Sequence, residues 1–384
     1  MELMSEGKAK FYASKDKDGK ISRALDVFYN PIMKFNRDVN ILVLNNLGMK
    51  DLLMTDIMAG SGVRSIRFLT ELKKGVLKCL AVNDYDKNFV KLFKKNLKVN
   101  KIGAKFKIGK NVLIHTEDAN LFLLKYNGFD YIDIDPFGSP NDFLNSATVR
   151  LSRGGILSVT GTDTASLSGT FPDTCKRIYW AKPLYTNLMH ETGLRILIRK
   201  VQLIAAQHDK ALIPVYSYFK DHYNRIFFKC IKGRLEVDKL IKQHKYVLYC
   251  ANCMSFNISD CNYMICDECS KQLKRDVLMD YAGPMWVGDL YDPVLAQKVF
   301  SDTCIKDLTS EQKNFLETIM NESKLHFFGF YNIHELCKHY KKDIPNFEAL
   351  TKKIVEKGFV VSRTHFTLLG LKTNIPLDEL IKLI

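Results

Sequence analysis

Leu52-Leu53-Met54-Thr55-Asp56-Ile57-Met58-Ala59-Gly60-Ser61-Gly62 is a short apolar run that breaks into glycines just before an amphipathic stretch, Arg64 to Leu72. Such a run reads as a buried strand turning sharply into a helix. Glycines suit that turn because a side chain would block both the bend and the close approach of a ligand to backbone. The helix start then offers unpaired N–H groups. Taken alone the two-glycine signal is weak, because a third glycine of the dinucleotide fingerprint would fall at Ser65.

Working outward, the same alternation repeats. Leu77 to Asn83 is a second apolar run, followed by Phe89, Leu92, Phe93 and Leu97 at helical spacing. Asn111 to His115, Tyr131 to Asp135 and Gly155 to Thr160 read as further strands, the last announced by a Gly154-Gly155 turn. A helix is expected over Leu188 to Gln207, then two strands, Leu212 to Phe219 and Arg225 to Ile231, close enough to form an edge hairpin. Alternating strands and helices predict an α/β fold with a mostly parallel sheet covered on both faces. Glu6 to Lys20 reads as a loop or hairpin.

The 384 residues are 46% hydrophobic, enough for one large domain and a smaller one, divided here as 1–240 and 241–384. A formal net charge of +15 is compatible with a polyanionic partner, and equally with solvated lysine-rich helix faces. No apolar run of eighteen residues occurs, and Met1 to Lys10 lacks a signal-peptide core, so no membrane partner and a cytoplasmic location are expected. The ten cysteines then read as thiols or metal ligands rather than disulfides.

Asp84 ends the second strand, 22 positions after Gly62 (84 minus 62). Folds of this kind place a ribose-binding carboxylate near that distance. A carboxylate there accepts from a vicinal diol and repels a 2′-phosphate; the competing reading is a helix cap. Asp118-Ala119, after the third strand, resembles the place where Rossmann-like methyltransferases set a carboxylate or amide on the adenine amine and an apolar neighbour on its ring; the competing reading is a solvated loop.

The most specific stretch is Asp133-Ile134-Asp135-Pro136-Phe137-Gly138-Ser139-Pro140. Ligands of open α/β sheets bind off the carboxyl ends of the strands. Pro136 stiffens the turn, so the Asp135 carboxylate and the Pro136 carbonyl become two held acceptors beside Phe137. That arrangement suits a planar NH2 group. An exocyclic amine is a poor nucleophile until hydrogen bonds localise its lone pair, and Asp135 could take the released proton. Phe137 would stack on the base. The motif is similar to the Asp/Asn-Pro-Pro-Tyr/Phe of amino-methylating enzymes, with Phe137 and Gly138 replacing its last two residues.

Phe28-Tyr29-Asn30-Pro31, Asn36-Arg37-Asp38, Gly62-Val63-Arg64, Asn83-Asp84, Asp118-Ala119-Asn120, Asp135-Pro136-Phe137-Gly138-Ser139-Pro140, Thr160-Gly161-Thr162-Asp163, Ser362-Arg363-Thr364-His365-Phe366 and Lys372-Thr373 follow in order. Together they resemble the tRNA (guanine-26-N2)-dimethyltransferases of archaea and eukaryotes, over nearly the whole chain. The resemblance implies a Rossmann-like methyltransferase domain that moves one or two methyl groups from S-adenosylmethionine to N2 of guanine 26. It implies cofactor contacts at Arg37, Gly60, Gly62, Arg64, Asp84, Asp118 and Ala119, catalysis at Asp135 with Pro136, and base stacking by Phe28 and Phe137. Ala59-Gly60-Ser61 departs from the Ala or Ser-Ala-Thr of many members but keeps small residues.

Cys250-Ala251-Asn252-Cys253 and Cys266-Asp267-Glu268-Cys269, twelve residues apart, have the spacing of a four-cysteine zinc ribbon. No open coordination position is apparent, so a structural Zn2+ is expected; Cys261 is an alternative ligand. From Asp292 onward the pattern suggests helices and a strand pair, giving a smaller α+β C-terminal domain with a winged-helix-like part. tRNA is the expected partner of a monomer, with candidate phosphate contacts at Lys8, Lys10, Lys15, Lys17, Lys20 and Arg363. His365 reads equally as a substrate contact or a core histidine. The competing functions are amino-methylation of another nucleic acid, such as adenine N6, and a non-catalytic zinc-ribbon RNA-binding protein.

Overall fold

In the computed structural model, which describes residues 1–14, 29–104 and 106–384, the apolar runs become strands and the amphipathic stretches become helices. An antiparallel hairpin, Glu2–Glu6 (β1) and Ala9–Ala13 (β2), comes first. Helix Lys34–Asn46 (α1) follows, then Leu52–Asp56 (β3), Val63–Glu71 (α2), Leu77–Asn83 (β4), Phe89–Val99 (α3) and Val112–His115 (β5). Ala119–Leu124 (α4), Phe129–Ile134 (β6), Asn141–Arg150 (α5) and Leu151–Gly161 (β7) continue the alternation. Lys210–Lys220 (β8) and Tyr223–Lys232 (β9) complete a seven-stranded sheet in the order β5-β4-β3-β6-β7-β9-β8. The pairs β3–β4, β3–β6, β4–β5 and β6–β7 are parallel. The direction of winding reverses between β3 and β6, which places the crevice of an open α/β sheet at their carboxyl ends.

The chain divides into two compact units, 1–160 with 227–232 and 301–308, and 161–226 with 233–300 and 309–384. In the first, α3 buries Phe89, Leu92, Phe93, Asn96 and Leu97, a single stripe at helical spacing. Asn96 is polar on that stripe because its amide has work there. It donates to the Ser61 carbonyl at 3.0 Å and accepts from the Tyr12 amide at 2.9 Å, tying β2 to the glycine turn.

One local expectation is corrected. Gly154-Gly155 does not precede the fifth strand but lies inside β7, and the register jumps from Phe129↔Leu151 to Tyr131↔Ile156. Gly154 has φ +77°, so the glycines absorb a bulge rather than a chain reversal. The later strand pair, by contrast, is a hairpin joined by Asp221 and His222.

The second unit holds the antiparallel sheet His244–Tyr249 (β10), Phe256–Ser259 (β11) and Asp280–Trp286 (β12), in the order β11-β10-β12. Helix Ser310–Glu322 precedes Tyr331–Asn332 (β13), helices Ile333–Tyr340 and Phe347–Glu356, and the strands Val361–Thr364 (β14) and Thr367–Thr373 (β15). That sheet runs β13-β15-β14. No helix among the described residues is long and apolar enough to cross a membrane.

Candidate active site

The glycine turn is built as its sequence demands. Gly60 and Gly62 have φ of +55° and +77°, conformations that suit glycine. The Gly62 amide donates back to the Ala59 carbonyl at 2.8 Å, and Ala59 in turn donates to the Asn83 carbonyl at 3.0 Å. A Cβ on Gly62 would meet the buried Phe93 ring at 2.4 Å. Gly62→Ala is therefore expected to cost about 2–3 kcal/mol, from positive φ and overpacking together. Denaturant unfolding checks it; a midpoint equal to the wild type contradicts it.

Asp84 does two things at the end of β4. Its Oδ2 accepts from the Gly60 amide at 2.6 Å, and its Oδ1 from the Asp86 amide at 3.0 Å. The carboxylate thus latches the glycine turn while staying half-buried at its rim. Asp118 is exposed, and its Oδ1 caps α4 through the amides of Asn120 and Leu121, both at 3.0 Å. Ala119 beside it is buried. Asn83, which sequence reasoning did not assign, ties these loops together. It donates to the carbonyls of Ile57 at 3.1 Å and Glu117 at 3.0 Å, and accepts from the Glu117 amide. Small residues, a rim carboxylate and a buried alanine beyond the next strand form a cradle that fits an adenosyl group.

Asp135 follows the last residue of β6, with Pro136 after it and the Phe137 ring 48% exposed at the tip. Side chains two apart on a strand face the same side. The buried Asp133 is therefore aligned with Asp135, and it sits in register with Asp56 on β3. Arg64 answers these carboxylates. Its Nη2 donates to Asp135, while its Nη1 lies 3.5 Å from Asp133 and donates to Asn36 Oδ1 at 3.1 Å. Asp133 is further held by Asn40 Nδ2 at 3.0 Å and by the Tyr131 hydroxyl. Arg64 thus faces the Asp135 carboxylate at the end of β6.

Burial pushes the Asp56 carboxyl up; the Arg64 charge and the Ser65 hydroxyl at 2.8 Å oppose this, and Asp133 and Asp135 add to it, leaving it at about 7. A carboxyl raised on folding stabilises the fold while protonated, and that stability is lost as pH rises from about 4 through 7. Asp56→Asn is therefore expected to match the wild type near pH 4 and to gain on it by roughly 2–4 kcal/mol at pH 8. Unfolding free energies across that range test this, and a pH-independent difference refutes it.

Arg37 lies in a second buried network. Its Nε donates to Glu6 Oε1 at 2.7 Å, its Nη2 to Glu6 Oε2 and to the Asn30 carbonyl at 3.0 Å. Arg67, absent from the sequence-based assignments, reaches Glu6 at 2.9 Å, Asp38 at 2.7 Å and Glu71 at 2.8 Å. Burial pushes Glu6 up, but the Arg37 and Arg67 guanidiniums outweigh it and hold its carboxyl down at about 2. The network anchors β1 to α1 and α2. Phe28 lies outside the described residues, as do Lys15, Lys17 and Lys20. The signal that would have exposed these partners is the buried polar pattern of α1, where Asn36, Arg37, Asp38 and Asn40 are consecutive or nearly so.

In the second unit the four predicted cysteines converge. The Sγ atoms of Cys250, Cys253, Cys266 and Cys269 all lie within 4.8 Å of one another, with Cys250–Cys269 and Cys253–Cys266 both at 3.7 Å. Four thiolates about 2.3 Å from a tetrahedral Zn2+ sit about 3.8 Å apart, so the donor set fits zinc. Cys261 is exposed and outside the cluster. His365 is a core residue. Its side chain is fully buried, with Nδ1 at 2.7 Å from Glu322 and 3.0 Å from the Tyr291 hydroxyl. The Phe219 amide donates to its Nε2, which puts the ring proton on Nδ1, toward Glu322. Arg363 is exposed and stacks on Phe347 at 3.8 Å.

A family model described as "TRM: N2,N2-dimethylguanosine tRNA methyltransferase" matches residues 7–384. Over 388 aligned positions the chain is 37% identical to a tRNA (guanine(26)-N(2)/guanine(27)-N(2))-dimethyltransferase of Aquifex aeolicus, covering 100% of this chain and 95% of the relative. It is 33% identical to a tRNA (guanine(26)-N(2))-dimethyltransferase of Methanosphaera stadtmanae, covering 95% and 92%. Among solved structures, Trm1 from Pyrococcus horikoshii in complex with S-adenosyl-L-methionine superposes with a TM-score of 0.86 at 30% identity, both chains covered in full.

Proposed function

The chain belongs to the N2,N2-dimethylguanosine tRNA methyltransferase family, and from that premise we propose that it methylates N2 of guanine 26 in tRNA, once or twice. The observation that carries the reading is the Asp135-Pro136 corner, held at the carboxyl end of β6 where the sheet reverses its winding. S-adenosylmethionine supplies a methyl group on an electrophilic sulfonium. Gly60, Gly62, Asp84, Asp118, Ala119, Arg37 and Arg64 are the residues assigned to hold it, with the Asp84 rim carboxylate on its ribose.

The remaining chemistry belongs to the chain. Asp135 and the Pro136 carbonyl accept from the two N–H bonds of the guanine amine, concentrating its lone pair on nitrogen. Phe137 stacks on the base from its exposed position, and Phe28 is assigned the opposite face. One proton is released for each methyl transferred, and Asp135 is the group assigned to receive it. Extruding a stacked guanine costs on the order of a few kcal/mol, which phosphate contacts offset.

Residues 1–240 are assigned to methyl transfer and 241–384 to tRNA contact, the latter resting on a structural Zn2+ held by Cys250, Cys253, Cys266 and Cys269. The order helix, strand, helix, helix, strand pair over 310–373 supports a winged-helix-like part. A cleft of about 640 Å³ lined by Tyr185, Tyr249, Glu335, Lys338 and His339, among others, sets tyrosines beside a lysine, a combination that suits contact with a nucleic-acid strand. A cytoplasmic monomer completes the reading.

The test is incubation of bulk unmodified tRNA with labelled S-adenosylmethionine, followed by nucleoside analysis and mapping. Label is expected in N2-methylated guanosine at position 26. Label in methylated adenosine or cytidine alone rejects the reading, and label at position 27 as well extends it in the manner of the Aquifex relative's name.

A further inference from the structure

Arg64 and Asp135 are each assigned to a different substrate, yet the structure joins them to each other. The Arg64 side chain is 7% exposed and that of Asp135 20% exposed, so their ion pair is largely shielded from water. A second carboxylate near the guanidinium, Asp133, is held independently by Asn40 and Tyr131. Asp135 is different: among the described residues Arg64 is its hydrogen-bond partner. Its Oδ2 accepts a guanidinium N–H, which competes with an incoming amine for that oxygen.

Two features make this pair exchangeable rather than permanent. Arg64 sits in the first turn of α2, directly after the Gly62 turn that bounds the cofactor cradle. Nη1 stays tethered to Asn36 at 3.1 Å and near Asp133, so the guanidinium can trade the partner of Nη2 without leaving its pocket. Swapping one carboxylate for another keeps the hydrogen bond of Nη2 charge-assisted, whereas withdrawing Asp135 with no replacement leaves the guanidinium with Asp133, 3.5 Å from Nη1, and one such bond fewer.

We propose that Arg64 is a positioning residue that keeps Asp135 closed to the guanine amine until an amino-acid carboxylate displaces Asp135 from the guanidinium. The inference rests on the cofactor and catalytic assignments made above. It orders the encounter: the cofactor opens the acceptor corner, and a productive base follows. Because the two carboxylates compete for one cation, loss of Asp135 should tighten the cofactor's carboxylate, and by linkage the bound carboxylate should favour tRNA.

The experiment is calorimetric titration of the whole protein with S-adenosylhomocysteine and with its decarboxylated analogue, neither of which carries the sulfonium charge. Asp135→Asn is expected to bind S-adenosylhomocysteine about 5- to 50-fold more tightly than the wild type. The decarboxylated analogue should change by less than about twofold. The gain should vanish in an Arg64→Gln background, which separates partner exchange from simple loss of a nearby negative charge. An unchanged affinity in Asp135→Asn, or a gain that survives Arg64→Gln, overturns the exchange. If Arg64→Gln weakens both ligands equally, the assignment of Arg64 to the cofactor carboxylate falls instead, and the exchange with it. Should Asp135→Asn fail to fold, the wild type decides: S-adenosylhomocysteine, but not the decarboxylated analogue, must raise affinity for unmodified tRNA. Equal effects of the two reject the proposal.

Discussion

Asp135→Ala is expected to lower kcat by about 100- to 1,000-fold while leaving the protein folded and able to bind S-adenosylmethionine. The size follows from what is removed: one of two held acceptors at the strand end, and the group nearest to receive the proton. Folding should survive because Asp135 lies beyond the last residue of β6, and its side chain keeps one charged partner, Arg64. Freeing that partner should strengthen, not weaken, the hold on the cofactor's carboxylate. Single-turnover methylation of tRNA, set beside cofactor affinity and the unfolding midpoint, separates these effects. A variant that turns over within tenfold of the wild type removes Asp135 from the chemistry.

Cys253→Ser, or removal of metal by a chelator, is expected to destabilise the cysteine-bearing part by about 5 kcal/mol or more. The apolar cluster around it is small: Leu248, Val277 and Met279 are its buried members besides Cys250, Cys266 and Cys269 themselves. So few buried side chains give little apolar burial against the entropy of ordering two cysteine loops, and a metal held by the four thiolates would supply the difference. The loss should be local at first. Hydrogen exchange is expected to rise in β10, β11 and β12, while amides of the parallel strands β3, β4 and β6 stay protected. Elemental analysis should return one zinc per chain. A metal-free protein with unaltered exchange and stability contradicts the assignment.

The parts of this molecule legible in its sequence are those whose physics is local. Glycines at a strand–helix turn, apolar residues at helical spacing on α3 and two cysteine hooks carry their meaning within a few residues. Asp84, just past β4 and singled out by its distance from Gly62, accepts from the Gly60 amide of that turn. What stayed hidden were groups whose roles are made by partners far along the chain. Arg67 carries no signal in its own neighbourhood; its place is set by Glu6, 61 positions away, and by Asp38. Gly154-Gly155 looks like a turn until β6 pairs alongside and shows a bulge.

The same division separates Arg37 and Arg64 from the acids they pair with. Chain order alone determined an α/β fold with a nucleoside-binding turn, an Asp-Pro corner on the fourth parallel strand and a cysteine site, because hydrophobic period, glycine and proline geometry and ligand spacing act over short stretches. Only tertiary structure decided that Arg64 rests on Asp135 and Asp133, that Arg37 pairs with Glu6, and that His365 is walled into a core beside Glu322. Charge pairing inside a protein depends on which groups burial brings within a few ångströms, and no local pattern records that distance.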